Sequence, residues 1–260
     1  MLFMFTIAKK FYSKRKQLKN AGEWAIVTGA AAGIGQAYAR ELAKDGLNIM
    51  FIDIDVAGLS SMATELADNF SVKAITFVCD FIPVTSMQCF QRVACPCGLA
   101  EDLVYFLDPL SCGRNLLSSQ GAWSQALCTQ TVQTFDSFRI YTELGKFNVH
   151  SMIILTHIVL PRLLKQNKPG SAIINLKSFT GIIPCPGLSL YGASKALIKH
   201  FVKSLIPDIK DSDVIIQAVC PLVVFNSPVR DWRPSFFIPT PNEYVRSAID
   251  VLGVGEITIG

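Results

Sequence analysis

The sequence predicts an α/β protein, a single domain built on a doubly wound parallel sheet. Three observations carry that expectation. An apolar run closes in a glycine-rich turn that opens directly into a helix, Trp24 to Gly46. Strand and helix patterns then alternate as far as Asp80, and the strands are almost continuously apolar, as strands covered on both faces are. A second strand-then-helix unit, Ser171 to Leu205, repeats the arrangement in the C-terminal half.

At 260 residues, half of them hydrophobic and 17% charged, the chain can bury one sizeable core. A net charge of +4, much of it in the first twenty residues, makes no case for nucleic-acid binding. The eight cysteines include no Cys-x-x-Cys, and Cys95-Pro96-Cys97 is too tight for a zinc pair. Reduced thiols are expected, with no metal site and no disulfide framework.

Residues 1–20 form a segment of their own. A short apolar run precedes Lys9, Lys10, Lys14, Arg15, Lys16 and Lys19. The run is far shorter than the roughly 20 apolar residues a membrane-spanning helix needs. It also lacks the order of a signal peptide, because the basic cluster follows the apolar part. Two readings stand: a membrane-surface anchor with its lysines against anionic lipid, or a frayed basic tail.

Trp24 to Thr28 reads as the first buried strand. In Thr28 to Gly35, TGAAAGIG, the glycines join that strand to a helix N-terminus. Ile34, Ala37, Tyr38, Leu42 and Ala43 fall on one face of the helix, and Gly46 stands where it should stop. Such a turn suits a pyrophosphate: no side chain blocks the backbone, and N–H groups with the helix dipole face the anion. Leu47 to Asp53 is the second strand. Its terminal acid can accept hydrogen bonds from the adenosine ribose and repels a 2′-phosphate. Residues 55–69 are predicted helical. Lys73 to Asp80 is the third strand, with Asp80 at its tip within reach of the adenine.

From Phe81 to about Thr142 the pattern fails, and Leu103 to Leu107 is the only strand-like run. A middle segment of this length without elements is a functional insert or a sign of something missing. Order returns with a helix from Glu143 to Gln166 that carries Asn148, with a bend expected at Pro161. Ser171 to Ser178 is a strand, Leu188 to Leu205 a helix, and Val214 to Cys220 a strand closed by Pro221. Residues 222–239 read as an aromatic loop with Trp232, Phe236 and Phe237. Thr240-Pro241-Asn242-Glu243 is a capping box that should start a short helix to Gly253. The C-terminus is expected to be truncated at Gly260, just inside one more strand.

The chemistry centres on Tyr191 and Lys195, four apart and therefore on one helical face, with Ser178 upstream. A phenol of pKa about 10 is a poor proton donor or acceptor at neutral pH. A cation beside it favours the phenolate and brings that pKa toward the working range. A serine hydroxyl from a neighbouring strand can hold a carbonyl or hydroxyl oxygen.

The Gly29-x-x-x-Gly33-Ile34-Gly35 turn together with Ser178-x12-Tyr191-x3-Lys195 resembles the short-chain dehydrogenase/reductase family. The wording of residues 22–49 and 213–253 is similar to its branch of 17-beta-hydroxysteroid dehydrogenases and very-long-chain 3-oxoacyl-CoA reductases. The resemblance implies a Rossmann-like fold and NAD(P)(H)-dependent hydride transfer on a hydroxyl or ketone of an apolar substrate, a steroid or 3-oxoacyl lipid. It implies that Gly29, Gly33, Ile34 and Gly35 hold the pyrophosphate, Asp53 the ribose and Asp80 the adenine side. Ser178 would orient the substrate oxygen, and Tyr191 would act as acid or base. Lys195 would hold the nicotinamide ribose and lower the tyrosine pKa, and Asn148 would position a water for proton relay. Attachment to the endoplasmic reticulum membrane, facing the cytosol, and a homodimer are further implications; a cytoplasmic protein is the alternative.

Five departures bear on those implications. No Asn-Asn-Ala-Gly strand end occurs between 81 and 142, so the first strand is expected to lack a ladder neighbour unless Leu103 to Leu107 supplies it. Asp53 stands where the branch more often has a small residue followed by arginine, which favours NAD(H) over NADP(H). Lys177 replaces a small polar residue beside Ser178. Pro221-Leu222 and Asn226 alter the loop over the site. The early end at Gly260 is expected to remove the last strand and part of the substrate pocket. The alternative function is thus a catalytically impaired relative that binds cofactor or a partner.

Overall fold

The computed structural model describes residues 11–80, 103–107, 144–225, 234–235 and 238–258. Seven strands form one parallel sheet: β1 (Trp24–Thr28), β2 (Asn48–Asp53), β3 (Ala74–Val78), β4 (Leu103–Leu107), β5 (Ala172–Leu176), β6 (Ile215–Val219) and β7 (Ile257–Thr258). Their order is β3-β2-β1-β4-β5-β6-β7. The order reverses direction at β1, so the crevice for a ligand lies beyond the carboxyl ends of β1 and β4.

Strand side chains alternate between two cores. Ala25, Val27, Ile49, Phe51, Ile174 and Leu176 pack on the face covered by α1 (Gly33–Lys44), α2 (Val56–Phe70) and α5 (Pro241–Asp250). Trp24, Ile26, Met50, Ile52, Ile173 and Ile216 pack on the other, under α3 (Ser151–Gln166) and α4 (Ser189–Leu205). β1, β5 and β6 are buried along their whole length, which is why these strands read as unbroken apolar runs.

The neighbour of β1 is the run Leu103–Leu107, which pairs with it from Trp24↔Leu103 to Val27↔Phe106, and with β5 on the other side. One expectation is corrected: the last strand is not lost, since Ile257–Thr258 pairs with Ala218 and Val219. The rest of the middle segment, 81–102 and 108–143, lies outside the described residues. So do residues 1–10 and, in the loop after Pro221, Asn226, Trp232, Phe236 and Phe237.

The basic N-terminal segment divides. Phe11 and Tyr12 are exposed. From Lys14 onward the chain is part of the fold: its N–H donates to the Leu252 carbonyl at 2.9 Å, and Leu18 and Ala21 are fully buried. Arg15 joins α1 to α5, donating to both Asp45 oxygens, to Glu41 and to Asp250, each at 2.8 Å. One cation of the apparent tail is therefore an internal tie. Burial opposes its charge, but the three carboxylates outweigh that and hold it more firmly protonated.

The helix before β5 also differs from expectation. Lys146–His150 forms a π-helical turn ahead of α3, and Asn148 sits within it. The capping box is present: Thr240 N–H donates to Glu243 Oε2, and Glu243 N–H to Thr240 Oγ1, with Pro241 at the first turn.

Candidate active site

The glycine turn leaves β1 at Gly29, whose φ of 66° is a left-handed conformation; Gly33 repeats it at 58°. Gly29 N–H donates to the Ile52 carbonyl at 2.8 Å, tying the turn to β2. Gly35 is required for a different reason. A Cβ there would stand 2.2 Å from the Gly29 carbonyl oxygen, so only glycine lets α1 seat against the turn. The α1 N-cap is Ala32, which has no side chain to occupy the helix's first N–H groups. These groups fit a pyrophosphate.

Asp53 is fully buried at the end of β2. One carboxylate oxygen accepts from Ala31 N–H at 3.0 Å; the other accepts from Ile54 at 2.7 Å and Asp55 at 3.1 Å. The acid expected to meet the ribose thus already locks the glycine turn to the β2–α2 connection. Asp80 lies two residues beyond β3, on the same edge of the sheet, and is partly exposed.

Ser178 follows β5 and caps a short 3₁₀ turn, Phe179–Gly181. Its oxygen accepts from the Thr180 hydroxyl at 3.1 Å and from Thr180 N–H at 3.4 Å. Its own proton remains available for an oxygen in the site. Tyr191 and Lys195 lie in the first half of α4. Lys195 is fully buried; its Nζ donates to the Leu176 carbonyl at 3.1 Å and stands 5.8 Å from the centre of the Tyr191 ring.

Two glycines that the sequence pattern did not single out bring these parts together. A Cβ on Gly181 would meet the Lys195 carbonyl carbon at 2.6 Å, and one on Gly192 the Thr180 oxygen at 2.8 Å. The turn behind Ser178 and the helix carrying the Tyr–Lys pair therefore touch backbone to backbone. Only their glycine neighbours, Ser-Phe-Thr-Gly181 and Tyr-Gly192, could have signalled that contact.

A cavity of about 160 Å³ joins the two halves. Gly33 and Ile34 of the turn line it together with Ser178, Tyr191, Pro221, Leu222 and Pro241. Asn148 is buried and donates its amide to Ser194 Oγ on α4 at 3.0 Å. Lys177 also reaches the cavity wall, fully buried, with no hydrogen-bond acceptor for its Nζ among the described residues. Burial drives its pKa down; the Cys220 thiol offsets part of that, while Lys199 and Lys203 add to it. Among the described residues no cluster of three metal-binding side chains exists, and Cys185 and Cys220 are free thiols.

A parallel sheet with a glycine turn at its switch point, and a serine and a Tyr–Lys pair beside it, is the arrangement of a dinucleotide-dependent oxidoreductase. Known proteins agree. The short chain dehydrogenase family pattern matches residues 23–94 and 124–233, and this chain belongs to that family. It is 32% identical to the very-long-chain 3-oxoacyl-CoA reductase of Anas platyrhynchos over 243 residues, covering 92% of this chain and 72% of that one. To the Homo sapiens protein of that name it is 29% identical over 239 residues, covering 92% and 71%. A structure described for 7beta-hydroxysteroid dehydrogenase stereoselectivity superposes with a TM-score of 0.75 at 19% identity, covering 94% and 90%. The NADPH complex of a Sphingobium yanoikuyae short-chain dehydrogenase gives 0.70 at 21%, covering 90% and 86%. At those identities the likeness is one of fold.

Proposed function

We propose that this chain moves a hydride between NAD(H) and a ketone or hydroxyl on an apolar substrate, with a 3-oxoacyl lipid favoured over a steroid. The observation that carries this is the shared cavity, lined by Gly33 and Ile34 together with Ser178 and Tyr191. The relatives named for 3-oxoacyl-CoA reduction favour the lipid.

In this reading Gly29, Gly33, Ile34 and Gly35 hold the pyrophosphate through backbone groups, and Asp80 borders the adenine. A nicotinamide bound at the cavity would give or take the hydride. Ser178 donates to the substrate carbonyl oxygen and fixes its direction. Tyr191 passes its phenolic proton to that oxygen in reduction and takes one in oxidation. Lys195 stabilises the phenolate left behind and holds the ribose beside it, and Asn148 holds the water that returns the proton. Asp53 sets cofactor choice: a buried anion under the ribose end disfavours a 2′-phosphate, so NADP(H) competes poorly.

Consumption of NADH with 3-oxoacyl thioesters, abolished by Tyr191→Phe while NADH still binds, is the expected result. Retained turnover in Tyr191→Phe would overturn this assignment of roles. A second reading has its own observation: residues 81–142 contain no Asn-Asn-Ala-Gly, and the family pattern leaves 95–123 unmatched. NADH binding without consumption across thioesters and ketosteroids would make the chain a non-catalytic relative. Contact of residues 1–20 with the endoplasmic reticulum surface and homodimer formation complete the proposal. Vesicle sedimentation and light scattering check them.

A further inference from the structure

We infer that Ser194 is a positioning residue for Asn148, one that sets which end of the asparagine amide meets α4. The inference rests on the reductase reading only for its effect on rate; the placement itself stands on hydrogen-bond direction.

Ser194 is buried in the turn of α4 between Tyr191 and Lys195. Its hydroxyl donates to the Tyr191 backbone carbonyl at 2.7 Å. A hydroxyl has one proton, so toward any other neighbour Ser194 Oγ can act only as an acceptor. Asn148 meets that oxygen at 3.0 Å and must therefore present its NH₂ group there. The amide cannot turn over without opposing two acceptors. Asn148 Oδ1 is left on the far side, buried and with no partner among the described residues. A buried acceptor of this kind demands a donor, so the direction of the amide is a constraint the fold has to satisfy.

The asparagine needs such an outside constraint because of where it sits. The π-helical turn Lys146–His150 is not a regular helix, and turns of this kind occur at functional sites. Ser194 anchors that turn to α4 through the same peptide group that carries the candidate acid, Tyr191. The relay asparagine and the phenol are thus referenced to one another through a single hydroxyl.

The test uses the full chain. In ¹⁵N spectra the Asn148 side-chain NH₂ signals are assigned by their loss in Asn148→Ala, and their hydrogen exchange is followed. Slow exchange in the wild type, fast exchange in Ser194→Ala and restoration in Ser194→Thr are expected; signals unchanged in Ser194→Ala overturn the inference. In turnover, Ser194→Ala should lower kcat roughly tenfold with NADH affinity unchanged, as loss of one hydrogen bond does. It should cost nothing further in an Asn148→Ala background. An equal loss in that background, or a parallel fall in NADH affinity, overturns it. If the wild type turns over no substrate, the reductase reading fails, and the exchange arm still decides the placement of Ser194.

Discussion

Lys195 Nζ stands 5.8 Å from the centre of the Tyr191 ring while donating to the Leu176 carbonyl at 3.1 Å. The strand that delivers Ser178 thereby also holds the cation proposed to act on the phenol. Lys195→Met removes that cation and leaves the hydroxyl. Turnover should fall about 10²–10⁴-fold at neutral pH and recover in part as pH rises, because the phenol then ionises at a higher pH. A pH–kcat profile checks this; a profile lowered without displacement would contradict the role.

Gly35→Ala tests the glycine turn by steric means alone. Its methyl would fall 2.2 Å from the Gly29 carbonyl, backbone against side chain, with no flexible atom to yield. Overpacking of this kind costs about 1–3 kcal/mol. Both the melting temperature and NADH affinity should drop, measured by thermal unfolding and by fluorescence titration.

Asp53→Ser separates two duties of one carboxylate. Removing the buried anion should relax discrimination against NADPH. It also deprives the Ala31, Ile54 and Asp55 amides of an acceptor, which at about 1–3 kcal/mol for an unsatisfied buried group should lower stability. Paired NADH and NADPH titrations with a denaturant series read the two effects apart. An unchanged NADH/NADPH ratio would remove Asp53 as the selector.

Arg15→Ala should destabilise the chain by about 2–4 kcal/mol, because Glu41, Asp45 and Asp250 lose their common partner. The pH dependence carries a sign. Burial raises the Glu41 pKa, but Arg15 and Lys44 bring it below the ordinary carboxylate value. The stability linked to that lowering is present above the unfolded pKa and is lost as pH falls through the folded one. Arg15→Ala should therefore flatten the acid limb of a stability–pH curve measured by urea unfolding.

The fold was legible where contacts are local or repetitive. The apolar strands β1, β2, β5 and β6 announce themselves because both faces are buried, and the glycine turn because positive φ and close approach admit little else. β4 was legible only as an isolated run: Leu103–Leu107 gains its identity from β1 and β5, which are remote in sequence. Arg15 was hidden for the same reason, since in the sequence it belongs to a run of lysines while its partners lie at Glu41, Asp45 and Asp250. In the site, Tyr191, Lys195 and Ser178 follow a spacing, whereas Ser194, Gly181 and Gly192 matter only through what folds against them. Asp53 stands out in the sequence for one duty, and the geometry shows another.

Lys177 offers the last test. It follows β5, one residue beyond the Leu176↔Val219 pair, and so lies beside Cys220 on the face that α4 covers. It is fully buried without a hydrogen-bond acceptor among the described residues, and its pKa lies below the ordinary lysine value, chiefly through burial. The unfolded chain then binds more protons than the folded one between the folded pKa and the ordinary value of about 10.4. Stability should rise with pH across that window, and below it the cost of a buried ammonium with only the Cys220 thiol to offset it remains. Lys177→Met keeps the stem and deletes the charge, so it should stabilise the chain by about 1–4 kcal/mol at and below neutral pH. The gain should shrink as pH climbs toward the lysine range, where the wild type no longer carries the charge in either state. Urea unfolding of the two proteins across neutral to alkaline pH measures the difference directly. A Lys177→Met chain less stable than the wild type at neutral pH would mean that the ammonium has a partner it needs.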